Sequence, residues 1–118
     1  MASHIWVKKE DSSKDMLVKA ADIRMVKVEK DGSVLLSMVD NGIKVVISTI
    51  TPDDVIRNAL GKSFIGIRDT KGCTVLVRRS WVRKVVQTTN GCIVYLPKSL
   101  NYVLHTNTTV DHIYGLLV

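Results

Sequence analysis

The sequence predicts a mainly β protein with short helices, a β-rich α+β fold in which two tandem pseudo-repeats share one core. Three observations support this prediction. The two halves of the sequence are similar at a fixed offset. Aromatic residues make up only 5% of the chain, so its apolar residues are mainly aliphatic. Gly-containing turns separate short apolar segments. A lone half of about 55 residues buries too little apolar surface to be comfortably stable. We therefore expect residues 1–118 to form a single domain.

The repeat is visible at a fixed offset. Leu17-Val18-Lys19 falls on Leu76-Val77-Arg78, and the turn at Asp31-Gly32 falls on Asn90-Gly91. Self-similarity at a fixed period indicates one structural unit used twice. Each unit is predicted to contain β-hairpins followed by a short helix.

Charge distinguishes the two copies. Residues 1–60 hold nine Lys/Arg and nine Asp/Glu, whereas residues 61–118 hold eight and two, so the net charge of +6 belongs to the second half. We refer to residues 4–60 as the neutral copy and residues 64–117 as the basic copy. If the scaffolds are alike, the difference in charge indicates where a function is to be sought.

In the neutral copy, alternating apolar residues predict strands at 5–9, 16–19, 24–30, 33–39 and 43–48, with turns at 10–14, 31–32 and 40–42 and a corner at 20–23. The helix signal is strongest at 51–61. There Thr51 is expected to cap the first turn, Asp53 and Asp54 complement the helix dipole, and Gly61 ends the helix.

The basic copy repeats this order. Strands are predicted at 64–68, 73–78 and 102–106, with a turn at 69–72, a corner at 79–82 and a hairpin about Asn90-Gly91. A short helix is expected after Thr108 or Thr109, and Gly115 weakens it.

Catalytic and metal-binding signals are weak. The histidines His4, His105 and His112 have no neighbour at metal-ligand spacing, and no glycine-rich phosphate loop follows a strand. Cys73 and Cys92 form no CxxC pair, and we expect both to be buried thiols. We therefore expect no cofactor, no metal and no enzyme activity.

No apolar run approaches the roughly 20 residues that cross a bilayer, and the N-terminus lacks the layout of a signal peptide. These features favour a cytoplasmic protein without a membrane partner.

A cluster of cations lies in the basic copy. Six fall within seventeen residues that also contain Trp81: Arg68, Lys71, Arg78, Arg79, Arg83 and Lys84. On neighbouring strands they are expected to share one face, which would bind nucleic-acid phosphates with an affinity that falls with salt. The alternative interpretation is a solvated basic surface with Trp81 in the core or at a dimer contact.

The order of these elements resembles that of the LytTR family of DNA-binding domains. The resemblance rests on Leu17–Val26 followed by Asp31-Gly32, on the helix at 51–60 leading into Ser63–Arg68, and on Val75–Val82. It implies an elongated β fold whose loops read duplex DNA in successive major grooves.

The resemblance maps DNA contacts onto three loops, at Lys30–Ser33, Arg68–Lys71 and Thr106–Thr108. It implies groove contacts from Lys30, Arg68, Lys71 and Asn107, whereas the cations at 78, 79, 83 and 84 are expected to hold phosphates. Arg78 departs from the family pattern, which has Asn at that position. Asn107 stands where a basic residue is common.

Each copy alone also resembles the short FlbD-like proteins of flagellar operons, which favours an interaction module. On the basic copy and the LytTR resemblance, the chain is expected to be a non-catalytic, salt-sensitive DNA-binding regulatory module. The alternative is a protein–protein or homodimeric module anchored by Trp6, Trp81 and Tyr114.

Overall fold

The structure is a computed structural model that describes residues 4–8, 14–40 and 42–118, without the side chains of residues 39, 40 and 43. Within these residues the chain is mainly β with two short α-helices, which confirms the predicted fold class. The elements of the first half are β1 (His4–Lys8), β2 (Asp15–Lys19), β3 (Ile23–Val28), β4 (Val34–Asp40), β5 (Ile43–Thr49) and α1 (Asp53–Leu60). Those of the second half are β6 (Phe64–Arg68), β7 (Thr74–Arg78), β8 (Lys84–Thr88), β9 (Gly91–Tyr95), β10 (Val103–Thr106) and α2 (Val110–Leu117).

The strands form two antiparallel sheets. The larger has seven strands in the order β2-β1-β5-β4-β3-β7-β6, and the smaller has the order β10-β9-β8. The halves are joined where β3 pairs with β7, with Val26 opposite Leu76. One continuous sheet therefore crosses from one half to the other.

Two apolar clusters lie on opposite faces of the larger sheet. On one face Val26, Leu36 and Ile47 pack with α1, which contributes Ile56 and Leu60. On the other face, residues from β3, β6 and β7 pack with the smaller sheet and with Ile113 of α2. Burial of these aliphatic side chains is the main driving force for the arrangement.

The helix at 51–61 begins later than predicted. Pro52 is the N-cap residue of α1 and supplies no side-chain hydrogen bond. The Thr51 hydroxyl instead accepts from the backbone N–H of Trp6 at 3.1 Å and donates to the Trp6 carbonyl at 3.1 Å. The prediction that Thr51 caps α1 is therefore wrong, because this hydroxyl bonds to β1. At the other end Gly61 has a φ of +66°, as a helix stop requires.

The remaining predicted elements agree with the structure within one or two residues, including the 3-10 corners at Ala20–Asp22 and Arg79–Trp81. Most of the turn predicted at 10–14, and Asn41 of the turn at 40–42, lie outside the described residues. Two further 3-10 turns, Gly61–Ser63 and Lys98–Leu100, were not predicted.

Corresponding bonds occur in the two halves. The Thr49 hydroxyl donates to the Trp6 carbonyl at 3.0 Å and accepts from the Thr51 N–H at 2.9 Å. The Thr106 hydroxyl likewise donates to the Arg68 carbonyl at 2.6 Å and accepts from the Thr108 N–H at 3.0 Å. These parallels support the two-copy organisation, which stays a prediction.

Candidate nucleic-acid interface

Three loops that are distant in sequence meet at one end of the larger sheet. They are residues 29–33 between β3 and β4, residues 69–72 between β6 and β7, and residues 106–108, which begin at the last residue of β10. We name this region the loop end. The antiparallel pairing of β3 with β7 places the first two loops side by side. Four predicted site residues, Lys30, Arg68, Lys71 and Asn107, line one open depression of about 440 Å³ there.

The turn at 69–72 is organised by a buried carboxylate. Asp69 Oδ1 accepts from the backbone N–H groups of Lys71 at 3.0 Å and Cys73 at 2.8 Å. The left-handed φ of +89° at Gly72 then closes the turn. This leaves Lys71 exposed at the tip, while the charge of Asp69 is directed inward to the backbone.

The turn at 29–33 brings its lysine to the same place. The side chain and the backbone N–H of Ser33 both hydrogen-bond to the Asp31 carboxyl, the N–H at 2.9 Å, and these bonds lower the pKa of that carboxyl below its usual 3.8. The Lys30 side chain lies over Gly72, where a Cβ atom would collide with it. Glycine at position 72 therefore allows the two loops to approach closely.

The third loop is attached to the second by two hydrogen bonds. The Thr106 hydroxyl donates to the carbonyl of Arg68, and the Thr70 N–H donates to the carbonyl of His105 at 2.9 Å. Asn107 is exposed beside Arg68 as a consequence. Its side-chain amide presents both a donor and an acceptor, whereas the three cations present donors alone.

A second open depression, of about 480 Å³, adjoins the first and shares Asn107 with it. Its other lining residues come from the β8–β9 turn and the start of α2: Gln87, Thr88, Thr89, Asn90, Gly91, Thr109, Val110 and Asp111. Sequence reasoning did not assign these polar residues to the site. The only signal was their position at a hairpin turn and a helix start.

Most carboxylates at the loop end already bond to other groups of the protein. Glu29 lies 3.9 Å from Lys27 and accepts from the Cys73 thiol at 3.1 Å. That hydrogen bond, with burial and the charge of Asp69, raises the pKa of Cys73 above its usual 9.0. Asp31 is the exposed carboxylate among those described in the three loops.

A smaller cavity of about 100 Å³ lies beside His105, with Asp69 and Tyr102 in its wall. Burial raises the pKa of Tyr102 to about 12, so its hydroxyl stays protonated at neutral pH. This volume is below the roughly 300 Å³ at which small-molecule sites begin. We place no ligand in it.

Arg78 contributes to the fold instead of the loop end. It stands at the far end of β7, opposite Phe64. Its Nη2 donates to the carbonyls of Ala21 at 3.1 Å and Ile23 at 2.9 Å, and its guanidinium lies 4.7 Å from the centre of the Phe64 ring. Burial, and then the charge of Arg24, lower the pKa of Arg78 below its ordinary value.

The other cations of the predicted set follow Arg78; we name the segment 78–84 the corner end. Arg79 and Arg83 are exposed, and Lys84 lies 4.7 Å from the centre of the Tyr95 ring. Four residue steps separate Arg68 from the Phe64–Arg78 pair, a distance of roughly 13 Å along the strand. The six clustered cations are therefore divided between the two ends of the hairpin.

Trp81 is partly buried against the second apolar cluster. The Arg24 guanidinium lies 4.8 Å from the centre of its ring. Both residues contribute to packing at the corner.

Within the described part of the chain, no group of three or more His, Cys, Asp or Glu side chains is placed to hold a metal ion. No helix formed by the described residues is long and apolar enough to cross a membrane.

No protein-family model matches the chain, and no curated protein matches it in sequence. The fold, however, is similar to a solved structure, the LytTr DNA-binding domain of a Bacillus cereus protein described as a methyl-accepting/DNA response regulator. The similarity has a TM-score of 0.67 at 13% identity, and it covers 99% of this chain and 98% of that domain. The chain therefore has the LytTR-like fold that its sequence predicted.

Proposed function

We propose that this protein is a non-catalytic regulatory module that binds duplex DNA through its loop end. One observation carries the proposal: three separate loops bring Lys30, Arg68, Lys71 and Asn107 around one open depression. The similar fold is that of a domain described as DNA-binding, in a protein described as a response regulator. This likeness supports duplex DNA as the ligand that we propose for the loop end.

The side chains suit distinct parts of that task. Lys30 and Lys71 are flexible point charges that would neutralise phosphates on either side of a groove. Arg68 would donate two parallel hydrogen bonds to a guanine edge or to a phosphate, and Asn107 would pair with an adenine edge. The cations would supply affinity, and the last two residues would supply sequence preference.

Salt sensitivity follows from the cationic part of this surface. Neutralising three phosphates would make log affinity fall with log salt at a slope of about −2.7. Neutralisation of six phosphates by the whole predicted set would give about −5. The measured slope therefore reports whether the corner end also touches DNA.

The test is fluorescence anisotropy of a labelled random-sequence duplex at about 50 and 200 mM salt. Arg68→Ala/Lys71→Ala is compared with Arg79→Ala/Arg83→Ala, which removes the same charge from the corner end. We expect the first variant to lose most of the affinity and to flatten the slope by about 2, with little change in the second. Equal losses in both variants would contradict the loop-end assignment. Absence of wild-type binding at the lower salt would contradict DNA binding itself.

A further inference from the structure

The larger sheet ends in a strand that is open for pairing. β2 is the first strand in the sheet order, and within the described residues its only strand partner is β1. The opposite edge strand, β6, differs because Arg68 and the adjoining Thr70 bond to β10. An open edge presents backbone N–H and C=O groups that another strand can bind.

Two of the devices that usually block such an edge, a proline and a bulge, are missing from β2. It contains no proline, and it pairs with β1 in unbroken register over all five of its residues, without a bulge. Its central residue is Leu17, and its charges stand at its two ends, Asp15 and Lys19. Within the described part of the chain neither of these charged side chains forms an ion pair.

The charges of β2 are complementary to those of its own reversed copy. If two β2 strands pair antiparallel about a two-fold axis through Leu17, each Asp15 lies opposite the Lys19 of the second copy. Met16 then lies opposite Val18, and Leu17 lies opposite itself. A shift of the pairing to another register would lose both charge pairs, so the charges select this one.

The middle of the exposed face beside this edge is apolar, and charged side chains lie at its two ends. Trp6 lies directly opposite Leu17 in the β1–β2 pair, and the two side chains are 50% and 51% exposed. Ile50 is also exposed, and its N–H bonds to the Trp6 carbonyl at 3.3 Å. In the paired arrangement, Trp6 and Leu17 of both copies would form one row across the seam, where the two Leu17 side chains are in contact.

We propose that this protein forms a two-fold symmetric dimer by antiparallel pairing of β2 with β2 of a second copy. The occupant is a second copy because the edge already carries the charge pattern that matches it. A pairing of two five-residue strands is small, and we expect a dissociation constant on the order of 100 μM. The proposal does not depend on DNA binding, since β2 is separated from β3 by β1, β5 and β4.

The test is a charge exchange followed by sedimentation over a range of protein concentration. Asp15→Lys alone, or Lys19→Asp alone, places like charges opposite each other twice per dimer. We expect each variant to weaken dimerisation by about tenfold. The double variant Asp15→Lys/Lys19→Asp restores both pairs and should recover the wild-type constant.

A mixture of the two single variants gives a second readout. One chain then carries two lysines and the other two aspartates, so the mixed dimer should form where each variant alone is monomeric. Asp54→Lys and Lys98→Asp change net charge by the same amounts at exposed sites outside β2, and they should have no effect. Circular dichroism of each variant checks folding, because Asp15 also lies opposite Lys8.

A wild-type protein that stays monomeric at concentrations on the order of 1 mM would overturn the proposal. A dimer dissociation constant that neither single variant changes would also overturn it. So would a mixture of the two single variants that forms no mixed dimer.

Discussion

The Thr106 hydroxyl donates a 2.6 Å hydrogen bond to the backbone carbonyl of Arg68, and this bond connects the last strand to the 69–72 turn. Thr106 is only 3% exposed, and its oxygen also accepts from the Thr108 N–H. The exposed residues on either side, Arg68 and Asn107, are thereby held next to each other. Thr106 belongs to a predicted contact loop but was not itself a predicted contact residue, and its buried hydroxyl holds two sides of the candidate interface together.

Replacing Thr106 with valine keeps the shape of the side chain and removes both hydrogen bonds. We expect the free energy of unfolding to fall by about 1–2 kcal/mol, because buried partners are left unsatisfied. DNA affinity should fall by about threefold to tenfold, since the two loops are no longer held in one arrangement before binding. Urea unfolding and duplex anisotropy measure the two effects.

Thr49→Val is the matched control, because Thr49 makes the corresponding bonds to Trp6 and Thr51. β5 is three strands from β7, roughly 14 Å across the sheet. We expect a smaller loss of stability than for Thr106→Val, because the Trp6 carbonyl still accepts from the Ile50 N–H and the Thr51 hydroxyl, and we expect unchanged DNA affinity. An equal loss of affinity in both variants would indicate a general effect of destabilisation.

Asp31 supports a prediction of opposite sign. Its carboxylate is exposed in the same turn as Lys30 and would repel a phosphate bound at the loop end. Asp31→Asn keeps an acceptor for the Ser33 N–H and removes the charge, so DNA affinity should rise by about twofold to threefold, and more at low salt. Asp22→Asn, at the other end of β3, removes the same charge away from the loop end and should leave affinity unchanged.

The pH dependence of this gain follows from the pKa. The hydrogen bonds from Ser33 lower the pKa of Asp31 below 3.8, so the carboxylate is charged throughout the neutral range. The gain from Asp31→Asn should therefore be constant there, and it should disappear only in acid, as the pH falls through the lowered pKa. A gain that disappears near neutral pH would show that another group is responsible.

Local signals accounted for most of the fold. Gly32 and Gly61, with φ of +91° and +66°, stand where the sequence predicted a hairpin turn and a helix stop, because few other residues adopt such angles. The pairing of β3 with β7 was not predicted, since several alternating strands offered equivalent apolar faces. Strand pairing between distant segments depends on the whole set of competing partners.

The candidate site was predicted unevenly for a similar reason. The three loops were identified only through the family resemblance, because the sequence alone does not show that positions 30, 71 and 107 are neighbours. Arg78 and Arg79 are adjacent cations with no local difference between them. Arg78 is half-buried because its guanidinium bonds to the carbonyls of Ala21 and Ile23, whereas Arg79 is exposed.

Cys73 provides a chemical test of the packing behind the loop end. Its thiol donates to Glu29, and this bond, burial and nearby negative charge raise its pKa. Since the thiolate is the reactive form, alkylation by iodoacetamide should be slow at mildly alkaline pH. Glu29→Gln removes the charge, so the pKa should fall toward 9.0 and alkylation of Cys73 should be several-fold faster.

Cys92 is the internal control, and peptide mass spectrometry separates the two thiols. Burial raises the pKa of Cys92, whose thiol donates to the carbonyl of Thr108 at 3.3 Å. Its alkylation rate should not respond to Glu29→Gln. Equal acceleration at both cysteines would indicate that the substitution loosens the whole domain.

The raised pKa values also affect stability. Each thiol stabilises the fold below the unfolded-state pKa of about 9, and this contribution is lost as pH rises through the folded-state pKa.

Arg78 and Arg79 allow a direct separation of folding from binding. Arg78→Leu removes two charged hydrogen bonds to backbone carbonyls and the contact with the Phe64 ring, so we expect a loss of about 2–3 kcal/mol in the free energy of unfolding. Arg79→Leu, at an exposed corner position, should change stability by about 0.5 kcal/mol or less. Urea denaturation of both variants measures the difference.

DNA binding by the folded fraction of Arg78→Leu should keep the wild-type salt slope, because its guanidinium already bonds to protein carbonyls. If Arg78→Leu instead has wild-type stability and a slope reduced by about 1, this arginine binds a phosphate. The corner end would then belong to the DNA-binding surface. In that case Arg79→Ala/Arg83→Ala should also flatten the slope, by about 2.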